Sequence, residues 1–220
     1  MSWAHFLLFD LISLNQMENL LNNFRNIPTF KTCEGDIHIK ESSLKDVYGN
    51  FYLFSTCGIS SIESLINRIF EENKVFKNYD SLNSIEKKID KLISIYPKLN
   101  FLKESDNDVY KHYKNFKKLK KYRNILTHFK SPFFYHTGSN YTVPLKGGGG
   151  AQKYDCYCLT KNSNDPQKLQ EIDFRYKNMI NYFISVKFLH NFIIHFFYKD
   201  KYDLERYLFD KNKYCFTVED

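Results

Sequence analysis

Three residues whose side chains could do chemistry together lie in the segment 120–129, which reads KKYRNILTHF: Arg123, Asn124 and His128. A histidine suits proton transfer because its pKa lies close to ambient pH. An arginine suits phosphate because its planar fork donates two hydrogen bonds and keeps its charge. The pair therefore favours proton transfer beside a phosphate group, where one positioned donor is typically worth on the order of 10²–10³ in rate.

The spacing of these residues limits what one helix can do with them. Arg123 and His128 are five positions apart, so on a helix they lie about 140° from each other and share no narrow stripe. Asn124 and His128 are four positions apart, so they face the same way and can touch.

The motif resembles the Arg-x4–6-His signature of the HEPN superfamily, in which Asn commonly follows the Arg. Its place at the carboxyl end of an amphipathic helix, between a long acid-bearing helix and a long aromatic one, adds to the resemblance, which covers residues 47–198. It implies a metal-independent endoribonuclease without a cofactor, in which Arg123 and His128 are catalytic and Asn124 orients the site. It also implies a homodimer whose two motifs line one cleft, where RNA is cut to leave a 2′,3′-cyclic phosphate.

The family often places a polar side chain on the helix that packs against the motif, and Glu63 is the candidate for that position. The resemblance implies that Glu63 holds Arg123 or tunes His128. The alternative is a solvated glutamate beside the apolar stripe of its helix.

A lysine-rich face surrounds the motif in a chain whose net charge is +7 and whose pI is about 9.0. Such a balance favours anionic partners, with nucleic acid first. The predicted contacts to an RNA backbone are Lys117, Lys120, Lys121 and Lys130. The alternative is that this lysine-rich face is only solvated. The tyrosines interleaved with the lysines are interpreted as core residues. Some HEPN toxins carry a Tyr two residues after the His, but here Lys130 stands at that position, which puts that subfamily in doubt.

Apolar residues at three- and four-residue steps predict four long helices and a shorter one. The first two helices are predicted at residues 3–24 and 47–72. A third ends at residue 95 and is capped by Ser81 or Asn83, and a fourth spans 108–129 with Asp106 as its cap. The last runs from Asp165-Pro166 to about residue 198. Gly58 weakens the prediction for the first half of the second helix. A short helix at 204–209 and an extended tail are predicted after the last long helix.

Two stretches favour strands over helix. Residues 30–39, turning at 34–36, could form a hairpin. Residues 141–143 and 154–159, joined by four glycines at 147–150, predict a hairpin with a flexible tip. We therefore expect an all-α, HEPN-like helical bundle in a single domain, residues 1–220, with a small β-hairpin insertion at about 131–165.

The other candidates for chemistry have plainer interpretations. The chain has five cysteines, an odd number that forms no disulfide framework, so reduced thiols are expected. Their spacing is not that of metal ligands, so no metal site is expected. His190 and His195 are five apart in an apolar helix and are interpreted as core or interface residues. No segment predicts a signal peptide or a membrane span, which favours a cytoplasmic protein.

The function expected from the resemblance is that of a toxin or antiviral defence effector that cuts cellular RNA, restrained by an antitoxin or another regulatory partner. Two alternatives stay open. The chain could be a HEPN-like regulatory subunit that binds RNA or protein without catalysis, or a structural helical protein whose motif is coincidental.

Overall fold

The computed structural model describes residues 6–25, 29–31, 37–74, 81–104, 107–128, 141–144, 151–154, 156–158 and 176–198. Side chains are described at 9–25, 46–74, 81–104, 107–124, 126–127 and 176–198. The predictions for the tail, for the short helix at 204–209 and for the start of the last helix at Asp165-Pro166 lie outside these ranges.

The described chain is predominantly helical, as the apolar periodicity predicts. The helices are α1 (Phe6–Leu21), α2 (Glu41–Asn73), α3 (Ile85–Ile95), α4 (Asp108–His128) and α5 (Tyr176–Tyr198). Short 3₁₀ helices follow α1 at Asn22–Phe24 and α3 at Pro97–Leu102. The second helix begins two turns before the predicted residue 47 and runs on through Gly58.

Short strands accompany the helices in two small sheets. The strands β1 (Thr29–Lys31), β2 (Ile37–Lys40) and β5 (Cys156–Cys158) form an antiparallel sheet in the order β1-β2-β5. The strands β3 (Tyr141–Pro144) and β4 (Ala151–Tyr154) pair with each other. Residues 154–159, predicted as one strand, are thus divided between the two sheets. Most of the predicted insertion lies outside the described residues.

Helices α1 and α2 run antiparallel and touch along their whole length. Asp10 meets Arg68 at one end, and Asn23 donates a hydrogen bond to Asn50 at the other. Between them, Gly58 is buried against the side chain of Met17: a Cβ at position 58 would lie 2.8 Å from its Sδ and 3.3 Å from Leu119 of α4. The missing side chain therefore lets three helices approach closely, which is why this glycine does not interrupt α2.

Helices α4 and α5 are also antiparallel and close the core from the other side. His112 of α4 contacts Ser185 and stacks on Phe188, with ring centroids 4.1 Å apart. Apolar side chains from α1, α2, α4 and α5 form one buried cluster, joined by α3 and the second 3₁₀ helix. Its largest fully buried members include Phe51, Phe54, Phe70, Phe116 and Phe183.

Two helix caps differ from those predicted. Ser84, one residue after the predicted Asn83, caps α3 by accepting from the Lys87 N–H, while the Asn83 side chain accepts from Lys87 Nζ. At the start of α4, Asn107 Oδ1 accepts from the Tyr110 N–H at 2.8 Å, in place of the predicted Asp106. Both Ser84 and Asn107 stand three residues before the N–H that they satisfy, which is the spacing a cap requires.

Within the described ranges, no helix combines the length and the apolar character that crossing a membrane would require.

Candidate functional site

Arg123 lies in the last two turns of α4, on the side of the helix that faces the core. At about 100° per residue, Arg123 lies about 20° around the helix axis from His112 and from Phe116. His112 is covered by α5, and Phe116 lies in the core. Its neighbour Tyr122 meets Phe51 of α2 edge to face, with ring centroids 6.4 Å apart. The Arg123 side chain is half-buried, and its Nε has no hydrogen-bond partner among the described residues. A buried donor without a partner costs about 1–3 kcal/mol, so a ligand that supplied an acceptor would regain that energy.

The rest of the motif continues along the final turn of α4. Asn124 is half-buried, and Thr127 Oγ1 donates to the Arg123 carbonyl one turn earlier, at 2.9 Å. His128 is the last residue of α4, and its side chain lies outside the described residues. The helix is regular through this stretch, so positions 123 and 128 remain about 140° apart on one α4.

Glu63 makes its ion pair with α3 and not with the motif. Its Oε1 lies 2.7 Å from Nζ of Lys88, whose side chain is only 7% exposed. Among the described residues no contact joins Glu63 to Arg123. The Glu63 side chain, which is 40% exposed, thus pairs with a buried ammonium group.

The lysines predicted to bind RNA have different surroundings. Lys117 is exposed, with Nζ 4.8 Å from the ring centroid of Tyr113, and Lys121 is exposed as well. Lys120 forms an ion pair with Glu86 of α3 and keeps only 14% of its side chain exposed. Lys130 lies outside the described residues. Of the lysines predicted to bind RNA whose side chains are described, Lys117 and Lys121 are thus exposed and Lys120 is mostly covered.

Of the interleaved tyrosines Tyr110, Tyr113 and Tyr122, the last two are core residues, as interpreted from the sequence, whereas Tyr110 is only partly buried. Tyr113 and Tyr122 are buried, and burial raises the pKa of Tyr113 to about 12, with smaller contributions from the carboxylates of Asp90 and Glu86. Stacking of a base on either ring would require the core to open.

His112 belongs to a polar cluster between α4 and α5. Ser185 Oγ donates to the Asn181 carbonyl at 2.7 Å and accepts from Asn115 Nδ2 at 3.1 Å. Because the single hydroxyl proton is used for Asn181, the Nδ1 of His112, 3.1 Å away, is the donor to this oxygen. Burial lowers the pKa of His112 and so favours the neutral ring. These hydrogen bonds satisfy the polar side chains that lie between α4 and α5.

The most deeply buried cluster of charged residues in the described chain was not predicted from the sequence. Asp10 Oδ2 accepts from Arg68 Nη2 at 2.9 Å and from His190 Nε2 at 2.8 Å. The Arg68 guanidinium lies over the Tyr198 ring, whose hydroxyl donates to Glu72 at 2.6 Å. Asp10, Arg68 and His190 are at most 2% exposed, so His190 is a core residue, as interpreted from the sequence. Burial raises the pKa of Tyr198 above its usual range, with a further contribution from Glu72.

Sequence reasoning also missed Arg25, at the carboxyl end of α1. Its guanidinium carbon lies 5.0 Å from the ring centroid of Tyr176, in the first turn of α5. The only signal for it in the sequence is a lone arginine between an apolar helix and Pro28.

Among the described residues, no group of three or more His, Cys, Asp or Glu side chains could hold a metal ion. Comparison of the chain with protein-family models, with curated proteins and with solved structures finds no match. Around Arg123, the end of the helix cluster therefore contains a half-buried cation, with Asn124 as the next residue and a histidine position five residues further along α4.

Proposed function

We propose that this chain is a metal-independent endoribonuclease of HEPN type, acting in the cytoplasm as a toxin or antiviral defence effector that cuts RNA. The observation that carries the proposal is the state of Arg123. It is a half-buried guanidinium whose Nε has no hydrogen-bond partner among the described residues and whose charge no described carboxylate neutralises. Arginines inside proteins are normally paired, so one left with donor capacity beside a histidine position favours an anionic ligand.

The reaction that these residue types support is transesterification. A neutral imidazole takes the proton from the ribose 2′-OH, and the 2′-oxygen forms a bond to phosphorus. The bond from phosphorus to the 5′-oxygen breaks, and an imidazolium returns a proton to that oxygen. The products are a 2′,3′-cyclic phosphate and a 5′-OH. In this scheme Arg123 binds the phosphoryl oxygens while charge builds on them, His128 transfers the protons, and Asn124 orients the imidazole.

The proposed site needs a second copy of the chain. Positions 123 and 128 diverge by about 140° on α4, so one helix presents its guanidinium and its imidazole in different directions. Two α4 ends that face each other around a two-fold axis would supply two of each group to a single groove. We therefore propose a homodimer as the active form, restrained by an antitoxin or a regulatory partner.

The test is cleavage of single-stranded RNA by the purified protein in EDTA, with the products analysed for a cyclic phosphate terminus. We expect cleavage to survive chelation and to fall by a factor on the order of 10²–10³ in His128→Ala and in Arg123→Ala. His195→Ala is the matched control for losing an imidazole, because His195 is exposed near the far end of α5. Light scattering on the same samples gives the oligomeric state.

Two results would reject the nuclease. Cleavage that EDTA abolishes would point to a metal-dependent contaminant or mechanism, and cleavage equal in His128→Ala and His195→Ala would remove the motif from the chemistry. A dimer that binds RNA without cutting any would instead support the regulatory, non-catalytic alternative.

A further inference from the structure

We infer that Arg25, held against Tyr176, is a second phosphate-binding arginine and contacts single-stranded RNA at the same end of the helix cluster as Arg123. This inference rests on the proposed function in one respect only, that the anion bound at this end is RNA.

Contacts through α2 place Arg25 and Arg123 at the same end. Phe24 meets Phe54 edge to face, with ring centroids 5.6 Å apart, so the end of α1 lies against the first half of α2. Phe51, one turn earlier in α2, meets Tyr122 of α4. Arg25 and Arg123 each follow directly after one of these core aromatics.

The pairing of α4 with α5 gives the same placement independently. From His112, which contacts Ser185, α4 runs about 16 Å to Arg123, because each residue rises about 1.5 Å. From Ser185, α5 runs about 14 Å in the opposite chain direction to Tyr176. The helices are antiparallel, so Arg123 and Tyr176 reach the same level, and Arg25 lies over the Tyr176 ring.

The way in which Arg25 is held leaves its hydrogen-bond donors for a ligand. An arginine attracted to the face of an aromatic ring uses its charge for that contact and keeps hydrogen-bond donors for other partners. Arg25 is exposed, and no carboxylate among the described residues pairs with it. By contrast, Lys120 and Lys88 each face a glutamate. A guanidinium fixed in this way is suited to bidentate binding of a phosphate.

The position also fits the length of an RNA strand. Arg25 lies on the α1 side of the first turn of α5, and Arg123 lies on the α4 side, so one helix diameter of about 10 Å separates the two sides. Successive phosphates along a single strand are separated by less than this. Arg25 would therefore bind a phosphate near the scissile one rather than the scissile phosphate itself.

The experiment measures binding of a 2′-O-methyl RNA oligonucleotide, which lacks the attacking hydroxyl and stays intact, by fluorescence anisotropy over a series of KCl concentrations. We expect Arg25→Ala to weaken binding about tenfold and to lower the slope of log K against log salt by about 0.7, the loss of one phosphate contact to a single strand. Arg25→Lys should restore the slope but only part of the affinity, because the ammonium group keeps the charge without the planar fork.

Lys111→Ala is the matched control. It removes one positive charge from the far end of α4, where Lys111 pairs with Asp108, and it should leave the affinity and slope at wild-type values. Thermal unfolding of each variant shows whether the fold is retained, which the exposure of Arg25 favours.

The outcomes separate this inference from the nuclease proposal. Arg25→Ala behaving like Lys111→Ala would overturn the role of Arg25 even in a protein that cleaves RNA. Binding that depends on Arg25 in a protein that cuts no RNA would support the phosphate site and reject the nuclease. A wild-type protein that cuts RNA but does not bind the oligonucleotide would overturn the role of Arg25 alone.

Discussion

Two arginines of this chain occupy contrasting environments. Arg68 lies in the interior with Asp10 and His190 as close neighbours, and the three side chains come from α1, α2 and α5. Arg123 lies half-buried at the end of α4, and its Nε has no hydrogen-bond partner among the described residues. Both regions contain a guanidinium and a histidine position, yet only in the first does a described carboxylate pair with the guanidinium.

The contrast separates a structural cluster from a candidate site. A buried charge costs several kcal/mol unless other groups compensate it, so Asp10, Arg68 and His190 each depend on the other two. Their loss should change stability. Arg123 compensates no described carboxylate, so its loss should change ligand binding and chemistry while the fold remains. Residue type does not distinguish the two roles, but the number of internal partners does.

The largest effect should come from Asp10→Asn. The change leaves Arg68 and His190 buried beside a neutral amide, and we expect the free energy of unfolding to fall by about 3–5 kcal/mol. Urea denaturation of the variant measures it. Asp46→Asn is the control, because Asp46 is an exposed carboxylate of α2 and its loss should not move the midpoint. Equal stability of the two variants would show that the buried cluster contributes nothing to the fold.

The next effect should be on activity. Arg123→Ala should lower RNA cleavage by a factor on the order of 10²–10³, as for the loss of one positioned donor, while unfolding free energy changes by less than about 1 kcal/mol. Parallel cleavage and denaturation measurements on one preparation check both numbers. A loss of activity that follows a loss of stability would place Arg123 with Arg68 as a structural residue.

A smaller loss of stability is expected for Glu63→Gln. It removes the charged partner of Lys88, whose side chain is 7% exposed, while the Glu63 side is 40% exposed and open to water. Because water partly screens this pair, we expect about 1 kcal/mol. Lys111 and Asp108 form a pair that is exposed on both sides, so Asp108→Asn serves as the control and should leave the midpoint unchanged. If Glu63→Gln instead lowers cleavage at unchanged stability, Glu63 supports the motif as the HEPN resemblance implies.

The smallest effect should be a pH dependence from His112. Burial lowers its pKa in the folded chain, so below the unfolded pKa of about 6.5 the unfolded chain binds the proton more readily. The contribution of His112 is complete above that pH and is lost as the pH falls through the folded pKa. The urea midpoint should therefore drop between about pH 7 and pH 5, and the drop should be smaller in His112→Gln. An identical drop in both proteins would assign it to other groups.

The spacing of apolar residues along the chain predicted the long helices of this fold. It could not predict which side chains of different helices contact each other. Apolar residues such as Ile59, Ile62 and Ile66 recur at helical spacing, and that spacing placed α2 and the other long helices. The caps Ser84 and Asn107 were each missed by one residue, because several neighbouring residues have side chains able to cap. The two extra turns at the start of α2 were missed because they lack an apolar stripe.

The candidate site was predictable only in part, for the same reason. The Arg123-Asn124-His128 motif is local, so the sequence displays it directly. The partner of Glu63 depends on how α2 packs against α3, and the pairing of Lys120 with Glu86 depends on how α3 packs against α4. Arg25 and Tyr176 are far apart in the chain, and only the fold brings them together.

The separation of 180 positions between Asp10 and His190 has a consequence for biosynthesis. A ribosome adds α1 and α2 long before it reaches α5, so until then Asp10 and Arg68 can pair with each other but lack the hydrogen bond from His190. The buried cluster is complete only when α5 packs against the earlier helices. The segment 123–128 is therefore synthesised before the helix that completes the core around it.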